Sequence, residues 1–519
     1  MTGAEVMLAA LRAKGVSVCF ANPGTTELDV VRAFETAPEL RCVVGLQENV
    51  CTGAADGYGR MLERPAATLL HLGPGFANGI ANLHNARRAR TPIVNIIGDH
   101  TSWHLPYDAP LTSDIESLAW PVSGWVHRIA GTADIALATM EAVDRTRNNG
   151  GQGTTLIFPA DFQMAPCDAG APDGASPAGR DESVEEDAPF DAAAAADRLK
   201  SAGRILFLLG GGGPESGLGA RAQRAAARLC AILPAHAYAE TFPSRSERGV
   251  GLPGFDRLPY FPEPARKALD PADLVVLVGA LPPITYFGYE GHDSRMVGDE
   301  RLLTLCLPGE NAAERLEAIA DALNAPAYTA APVDLPAVPE GSLTPAGIAA
   351  VLARELPDDA IVSVEGGTCG YPFYAASAGA RPHTALTNTG GAIGQGLPVA
   401  MGAAVACPDR KVVALLSDGS TQYTVQTLWS LAHEGLDVVV LIAANHQYAI
   451  LRNELRRGGA ALSAQAEAMT SLDNPRIDWV QLAQAYGVSA SRAATTDELS
   501  EQLKNAFVVK GPALIEMAL

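Results

Sequence analysis

Two apolar runs late in the chain constrain its fold most: Val412–Leu416 (VVALL) and Asp437–Ala444 (DVVVLIAA). Between them, Thr421–His433 carries apolar residues at helical spacing. A strand–helix–strand unit closes as a right-handed crossover, so the two strands lie parallel and their carboxyl ends meet at one sheet edge. Asp418 and Asn445, 27 positions apart, each stand just past such an end. Ligands of open parallel sheets bind at that edge, and a helix opening near Ser420 would aim unpaired N–H groups at an anion. The Asp418 carboxylate, the Asn445 amide oxygen and the backbone carbonyl of Gln447 are hard oxygen ligands, suited to Mg²⁺ sharing its shell with a diphosphate. Either turn alone reads more readily as an ordinary loop after a strand. Their pairing on one edge is what points to a site.

Length leaves room for several such units. The chain has 519 residues, enough for three or four domains with cores of their own. No run reaches the roughly eighteen apolar residues of a membrane span, and Met1–Val16 carries charges and reads as an amphipathic helix, unlike a signal peptide. A cytoplasmic location with no membrane partner is expected. The net charge of −20 argues against nucleic acid, whose phosphates call for clustered Lys and Arg. The eight cysteines are scattered without C-x-x-C spacing, which supports neither a zinc site nor a disulfide framework.

Two seams break the periodic pattern: Pro166–Ala188, rich in Pro, Gly, Ser and charge, and the Pro-rich run Ala325–Leu343. They predict domains over residues 1–165, 189–328 and 344–519. Apolar runs alternate with helical patterns in all three, in the middle around ILFLLGGGG and LVVLVGA. The fold class expected is therefore α/β, with three parallel-sheet domains.

Ser417-Asp418-Gly419-Ser420 followed by Ala444-Asn445-His446-Gln447 resembles the signature of the thiamine diphosphate superfamily that includes acetolactate synthase, pyruvate oxidase and benzoylformate decarboxylase. Ser417 and Ala444 depart from the usual Gly and Asn, at letters that do not bind metal. The resemblance spans essentially the whole chain and implies pyrimidine-binding, central and diphosphate-binding domains. It assigns Mg²⁺ to Asp418, Asn445 and Gln447, with Gly419, Ser420 and Tyr448 on the cofactor. Gly366-Gly367-Thr368 after the strand IVSVE resembles a further diphosphate loop, through Gly367 and Thr368. Gly390–Pro398 resembles the segment that receives the aminopyrimidine, with Gly391 in contact and Ile393 as the apolar wedge.

The first domain supplies the reactive carboxylate in this reading. Glu48, in QENVCTGAADGYGR, resembles the family glutamate that hydrogen-bonds the pyrimidine ring nitrogen, promoting the imino tautomer that deprotonates the thiazolium. In the family that domain and the diphosphate domain come from different subunits, which implies a homodimer or a dimer of dimers. Asn22–Thr26 resembles the substrate loop, with Gly24 and Thr25 facing the pocket. His71, closing the strand AATLL, matches the proton-transfer histidine of benzoylformate decarboxylases. Their second histidine falls on Phe287 here, and Glu454 is polar where an aryl-binding pocket wants an apolar side chain. His100 and His104 share H-x-x-x-H spacing but lack the intervening Glu and clear helix of a zinc site.

Losing CO₂ from a 2-oxo acid leaves an electron pair that the thiazolium ring can accept. Protonation then yields an aldehyde, whereas attack on a second carbonyl yields a 2-hydroxy ketone or acetohydroxy acid. Phe in place of a histidine tilts the expectation towards carboligation, as in acetolactate synthase. A benzoylformate decarboxylase-type enzyme and a non-catalytic cofactor-binding homologue are the alternatives. Gly210–Gly213 lacks the complete G-x-G-x-x-G register, and no FAD is expected.

Overall fold

The computed structural model describes residues 1–167, 190–459 and 461–519; all of the Pro166–Ala188 seam after Cys167 lies outside the described residues. The chain forms two compact units. One holds residues 1–167 together with Ala337–Phe373 and Asn388–Leu519, and the other holds residues 190–336 with Tyr374–Thr387.

The first sheet contains β1 (Val18–Asn22), β2 (Arg41–Val44), β3 (Ala66–His71), β4 (Ile93–Asp99), β5 (Trp125–Arg128) and β6 (Gly153–Pro159), in the order β2-β1-β3-β4-β6-β5. Every pairing is parallel. β4 and β6 are buried along their whole length, as expected of strands covered on both faces. From β1 the chain runs to β2 on one side, and from β3 to β4 on the other. The crevice of this sheet therefore opens between β1 and β3, where Asn22 lies opposite Leu70.

The second unit is built on β7 (Ile205–Leu209), β8 (Ala235–Ala239), β10 (Asp256–Arg257), β11 (Leu274–Val278) and β12 (Leu302–Cys306), all parallel in the order β10-β8-β7-β11-β12. Apolar clusters lie on both of its faces. In the same unit β9 (Arg245–Arg248) pairs antiparallel with β14 (His383–Thr387).

Back in the first unit, β13 (Ala360–Val364), β15 (Val412–Ser417), β16 (Val438–Ala444), β17 (Ser489–Ala493) and β18 (Ala513–Ala518) form parallel pairs in the order β17-β18-β16-β15-β13. β15 and β16 are the two apolar runs of the sequence, paired from Val412↔Val438 to Ser417↔Ala443. The three-sheet α/β architecture expected from periodicity is present. The helix expected over Thr421–His433 differs: a single turn, Asp418–Thr421, passes through a 3₁₀ turn into a helix at Thr427–His433. Hydroxyls cause the break. Ser420 and Thr421 donate to the Ser417 carbonyl, and Thr424 donates away to the Gly394 carbonyl, so side chains compete with the helical ladder.

The two sheets of this unit are joined by two small-residue helices. Glu48–Leu62 starts after Gln47, whose side chain accepts from the Asn49 N–H, and it packs on Gly396–Ala406, which is apolar all round and buried through Val405. The approach is close: a Cβ on Gly402 would lie 1.8 Å from the Ala54 carbonyl oxygen. Asp56 sits in this seam, pairing with Arg60 through both oxygens at 2.8 and 2.6 Å and accepting from Thr91 and Gln395. Removing either member of such a buried, satisfied ion pair costs about 3–5 kcal/mol. Among the described residues no helix is long and apolar enough to cross a membrane.

Candidate active site

At the crevice of the first sheet, the loop after β1 and the end of β3 bring Glu27 against His71. Gly24 enters the 3₁₀ turn Thr25–Glu27, and its N–H donates to Glu27 Oε2 at 2.7 Å. The Thr26 hydroxyl donates to Oε1 at 2.6 Å, and His71 Nδ1 lies 2.8 Å from Oε2. Glu27 is fully buried while the His71 side chain keeps 24% exposure. A carboxylate partner places the proton of a neutral imidazole on Nδ1, which leaves Nε2 as the accessible acceptor. Glu48 follows β2, opens its helix and is nearly buried. Its Oε2 accepts from Asn78 Nδ2 at 3.1 Å.

At the edge of the C-terminal sheet, Asp418 and Asn445 converge as strand order requires. Asp418 Oδ1 accepts the Gly419 N–H at 2.8 Å and Oδ2 accepts the His446 N–H at 2.6 Å. Asn445 Oδ1 accepts the next amide, Gln447 N–H, at 3.1 Å, and its Nδ2 donates to Thr368 Oγ1 at 3.2 Å. The turn that makes this possible puts His446 at φ 52°, in the left-handed region. Burial pushes the Asp418 carboxyl up, opposed by those two amides. The helix expected to open near Ser420 begins at Asp418, but it is only four residues long and has no developed dipole. The Tyr448 ring packs on Gly419, 2.7 Å from where a Cβ would stand. The Gln447 side chain accepts from Arg452.

Gly367 and Thr368 open the helix Gly367–Ala376 directly after β13. The Gly390–Gly396 loop is held from the helix Leu72–Ala89 that follows β3: His84 reaches the Gly390 carbonyl, Asn85 exchanges bonds with Ala392 at 2.8 and 3.1 Å, and Asn82 reaches the Gly394 carbonyl. Gly391 and Gly394 have φ of 78° and 93°, and Gly394 has no room for a Cβ, which would meet Tyr423 at 2.5 Å. Between them Ile393 stands 36% exposed, an apolar side chain held out of the core by its own backbone. An oxygen-only donor set, paired turns after parallel strands and a protruding aliphatic residue fit a metal-bound diphosphate with a ring packed against the wedge.

Not every expected residue joins this group. Glu454 lies on the exposed helix Ala449–Arg457 and pairs with Arg457 at 3.1 Å. Phe287 belongs to the second unit, where it is 57% exposed and packs edge-on to Tyr286 and Tyr289. The His100 and His104 rings stack edge-to-face on each other. Among the described residues no three His, Cys, Asp or Glu side chains gather as a metal cluster.

Three residues escaped sequence reasoning. Glu27 is hidden in a turn whose acid reads as a helix-start charge, and Asn78 sits on an ordinary helix face. Glu365 stands just past β13, so the strand-end rule that singled out Asp418 applies to it equally.

Comparisons with known proteins agree with this geometry. Residues 1–118 match the model of the thiamine pyrophosphate enzyme N-terminal TPP binding domain, and residues 342–517 match the C-terminal TPP binding domain. The chain is 45% identical to the Mycobacterium tuberculosis protein named "Putative acetolactate synthase large subunit IlvX", over all of this chain and 99% of that one. It is 30% identical to the benzoylformate decarboxylase of Pseudomonas aeruginosa, over 98% and 97% of the two chains. Among solved structures, the thiamine diphosphate-dependent 4-hydroxybenzoylformate decarboxylase of Rhodococcus jostii RHA1 superposes with a TM-score of 0.85 at 25% identity, covering 100% and 99% of the chains. A strand-end Asp–Asn pair, a small-residue helix seam and full-length similarity to these enzymes lead to one statement: this chain belongs to the thiamine pyrophosphate enzyme family.

Proposed function

We propose that the chain is a thiamine diphosphate- and Mg²⁺-dependent enzyme that decarboxylates a 2-oxo acid and joins the remaining fragment to a second carbonyl, in the manner of acetolactate synthase. The observation that carries this reading is the division of polar groups between two sheet edges. Metal-type oxygens and backbone turns occupy one, and an available carboxylate beside a buried glutamate paired with a half-buried histidine occupies the other.

Asp418, Asn445 and the Gln447 carbonyl would hold Mg²⁺; Gly367, Thr368, Gly419, Ser420 and Tyr448 would line the diphosphate; Gly391 and Ile393 would receive the pyrimidine end. When bound, thiamine diphosphate supplies a cationic ring that accepts the electron pair left by departing CO₂. Glu48, oriented by Asn78, would hold a proton at its carboxyl group for the pyrimidine end. Ile393 excludes water above that end. Glu48 serves a cofactor anchored on a second copy of the chain, so the enzyme is a homodimer or a dimer of dimers.

The fate of the fragment depends on proton supply. Protonation releases an aldehyde, and poor protonation leaves time for attack on a second carbonyl. The position that matches the second histidine of benzoylformate decarboxylases is Phe287 here, a side chain with no ionisable group. One relative of 45% identity is named as an acetolactate synthase subunit. A second reading, an aldehyde-releasing decarboxylase, draws on a specific feature: His71, oriented by Glu27, presents Nε2 as a proton carrier. Gly24 and Thr25 border the substrate beside it.

No flavin is proposed. The Gly211 N–H, at the Gly-rich turn after β7, donates to Glu240 Oε1 at 2.6 Å, and a carboxylate there repels a dinucleotide phosphate.

Incubation of the purified protein with pyruvate and other 2-oxo acids, with and without a carbonyl acceptor, tests the proposal. A 2-hydroxy ketone or acetohydroxy acid by NMR, dependent on thiamine diphosphate and Mg²⁺, supports ligation. Stoichiometric aldehyde supports the second reading, and a stoichiometric yellow cofactor would contradict the absence of flavin.

A further inference from the structure

Glu365 is a buried carboxylate at the C-terminal sheet edge for which the reaction above has no use. It leaves β13 with 3% exposure. Its Oε1 accepts the Gly394 N–H at 2.7 Å, the Gln395 N–H at 3.3 Å and Asn388 Nδ2 at 3.4 Å, and its Oε2 accepts the Gly396 N–H at 2.8 Å. Three consecutive amides at the start of the Gly396–Ala406 helix thus converge on one side chain. An anion at a helix start is favourable, and here the chain supplies its own. Asn388 closes the loop from the same side. Its Oδ1 accepts the Gly391 N–H and its Nδ2 donates to the Ala392 carbonyl, both at 2.8 Å. Burial pushes the Glu365 carboxyl up and the amides pull it back.

The position of Glu365 in the chain gives this clamp its meaning. The residues directly after it, Gly366–Thr368, form the loop read as facing the diphosphate. The amides its side chain holds belong to the loop read as receiving the pyrimidine. We infer that Glu365 is a positioning residue that sets the distance between the two ends of the cofactor cradle: its backbone leads one loop and its side chain pins the other. The inference rests on the cofactor placement proposed above. Glu365→Gln sets an NH₂ against one of the amide donors, releasing the Gly394–Gly396 turn and with it the wedge Ile393, while Asp418 and Asn445 are untouched.

The test compares two ligands on the full chain by isothermal titration in Mg²⁺: thiamine diphosphate, which spans both loops, and inorganic pyrophosphate, which occupies one end. In Glu365→Gln, thiamine diphosphate affinity is expected to fall about tenfold or more, while pyrophosphate affinity stays within about twofold. The near-UV circular dichroism of the bound cofactor should change with it. Asn388→Ala, which leaves the carboxylate in place, should move the same readouts by a smaller factor and serves if Glu365→Gln does not fold. Equal losses for both ligands would reduce Glu365 to a structural residue, and unchanged thiamine diphosphate affinity would also overturn the inference. If the unsubstituted chain binds pyrophosphate but not thiamine diphosphate, the cofactor placement itself fails, and this inference with it.

Discussion

Each sheet edge of the first unit carries two acidic side chains near its ligand end, and the two edges use them in parallel. At the N-terminal edge Glu27 is spent on the protein itself, accepting from Gly24, Thr26 and His71. Glu48, one strand away, has the Asn78 amide. At the C-terminal edge Glu365 is spent on three amides and Asn388. Asp418 accepts two backbone N–H groups and keeps lone pairs on both oxygens. The difference lies in the partners. The N-terminal pair is held mostly by side chains, as suits the proton transfer proposed for it, whereas the C-terminal pair is held mostly by backbone amides, as suits the proposed holding of charge.

Substitutions at the four acids can break this comparison, beginning where the effect should be greatest. Glu48→Gln removes a proton-transfer group, so turnover is expected to fall by about 10²- to 10⁴-fold, with pyrophosphate binding retained in titration. Full turnover in that variant would sink the mechanism. Asp418→Asn keeps the shape and loses the charge. Mg²⁺-dependent cofactor affinity should drop by about tenfold or more, and an affinity independent of Mg²⁺ would remove the metal from the reading. Glu27→Gln should lower turnover by about tenfold and change the ratio of aldehyde to ligated product, because His71 loses the partner that fixes its tautomer. A product ratio equal to the parent's would show that His71 takes no part in proton supply.

The smallest effect concerns thiols. Cys51 lies one turn from Glu48 with its thiol pushed up, first by burial and second by the Glu48 charge. Cys42, exposed on β2, has its thiol lowered by a hydrogen bond from Cys19. Burial pushes Cys306 up to about 11 and Cys369 up to about 12. Because the thiolate is the reactive form, mild alkylation near pH 8 should mark Cys42 before Cys51, Cys306 and Cys369. In Glu48→Gln the Cys51 thiol loses one raising influence and should label slightly faster as pH rises. Mass spectrometry of the labelled peptides reads both outcomes.

The Asp418–Asn445 pair was legible in advance because parallel strand ends have a fixed geometry: strand–helix–strand spacing implies which residues share an edge. Glu365 obeys the same rule, but the glycines directly after it carry the stronger local signal. Glu27 could not be found that way. Its partner His71 is 44 positions away, and the two meet because β1 and β3 are neighbours, a strand order that periodicity does not encode. The interrupted helix after Asp418 shows the limit from the other side. Apolar spacing predicted one helix, but hydroxyls of Ser420, Thr421 and Thr424 drew the hydrogen bonds elsewhere.

By itself the sequence determined the α/β alternation, the strand ends and the candidate oxygens past them, because these depend on local periodicity and on the handedness of crossovers. Tertiary structure decided which acids are spent and which stay available. That outcome rests on long-range pairing: a carboxylate loses its capacity to act on a ligand only when amides or a histidine from distant segments fold onto it.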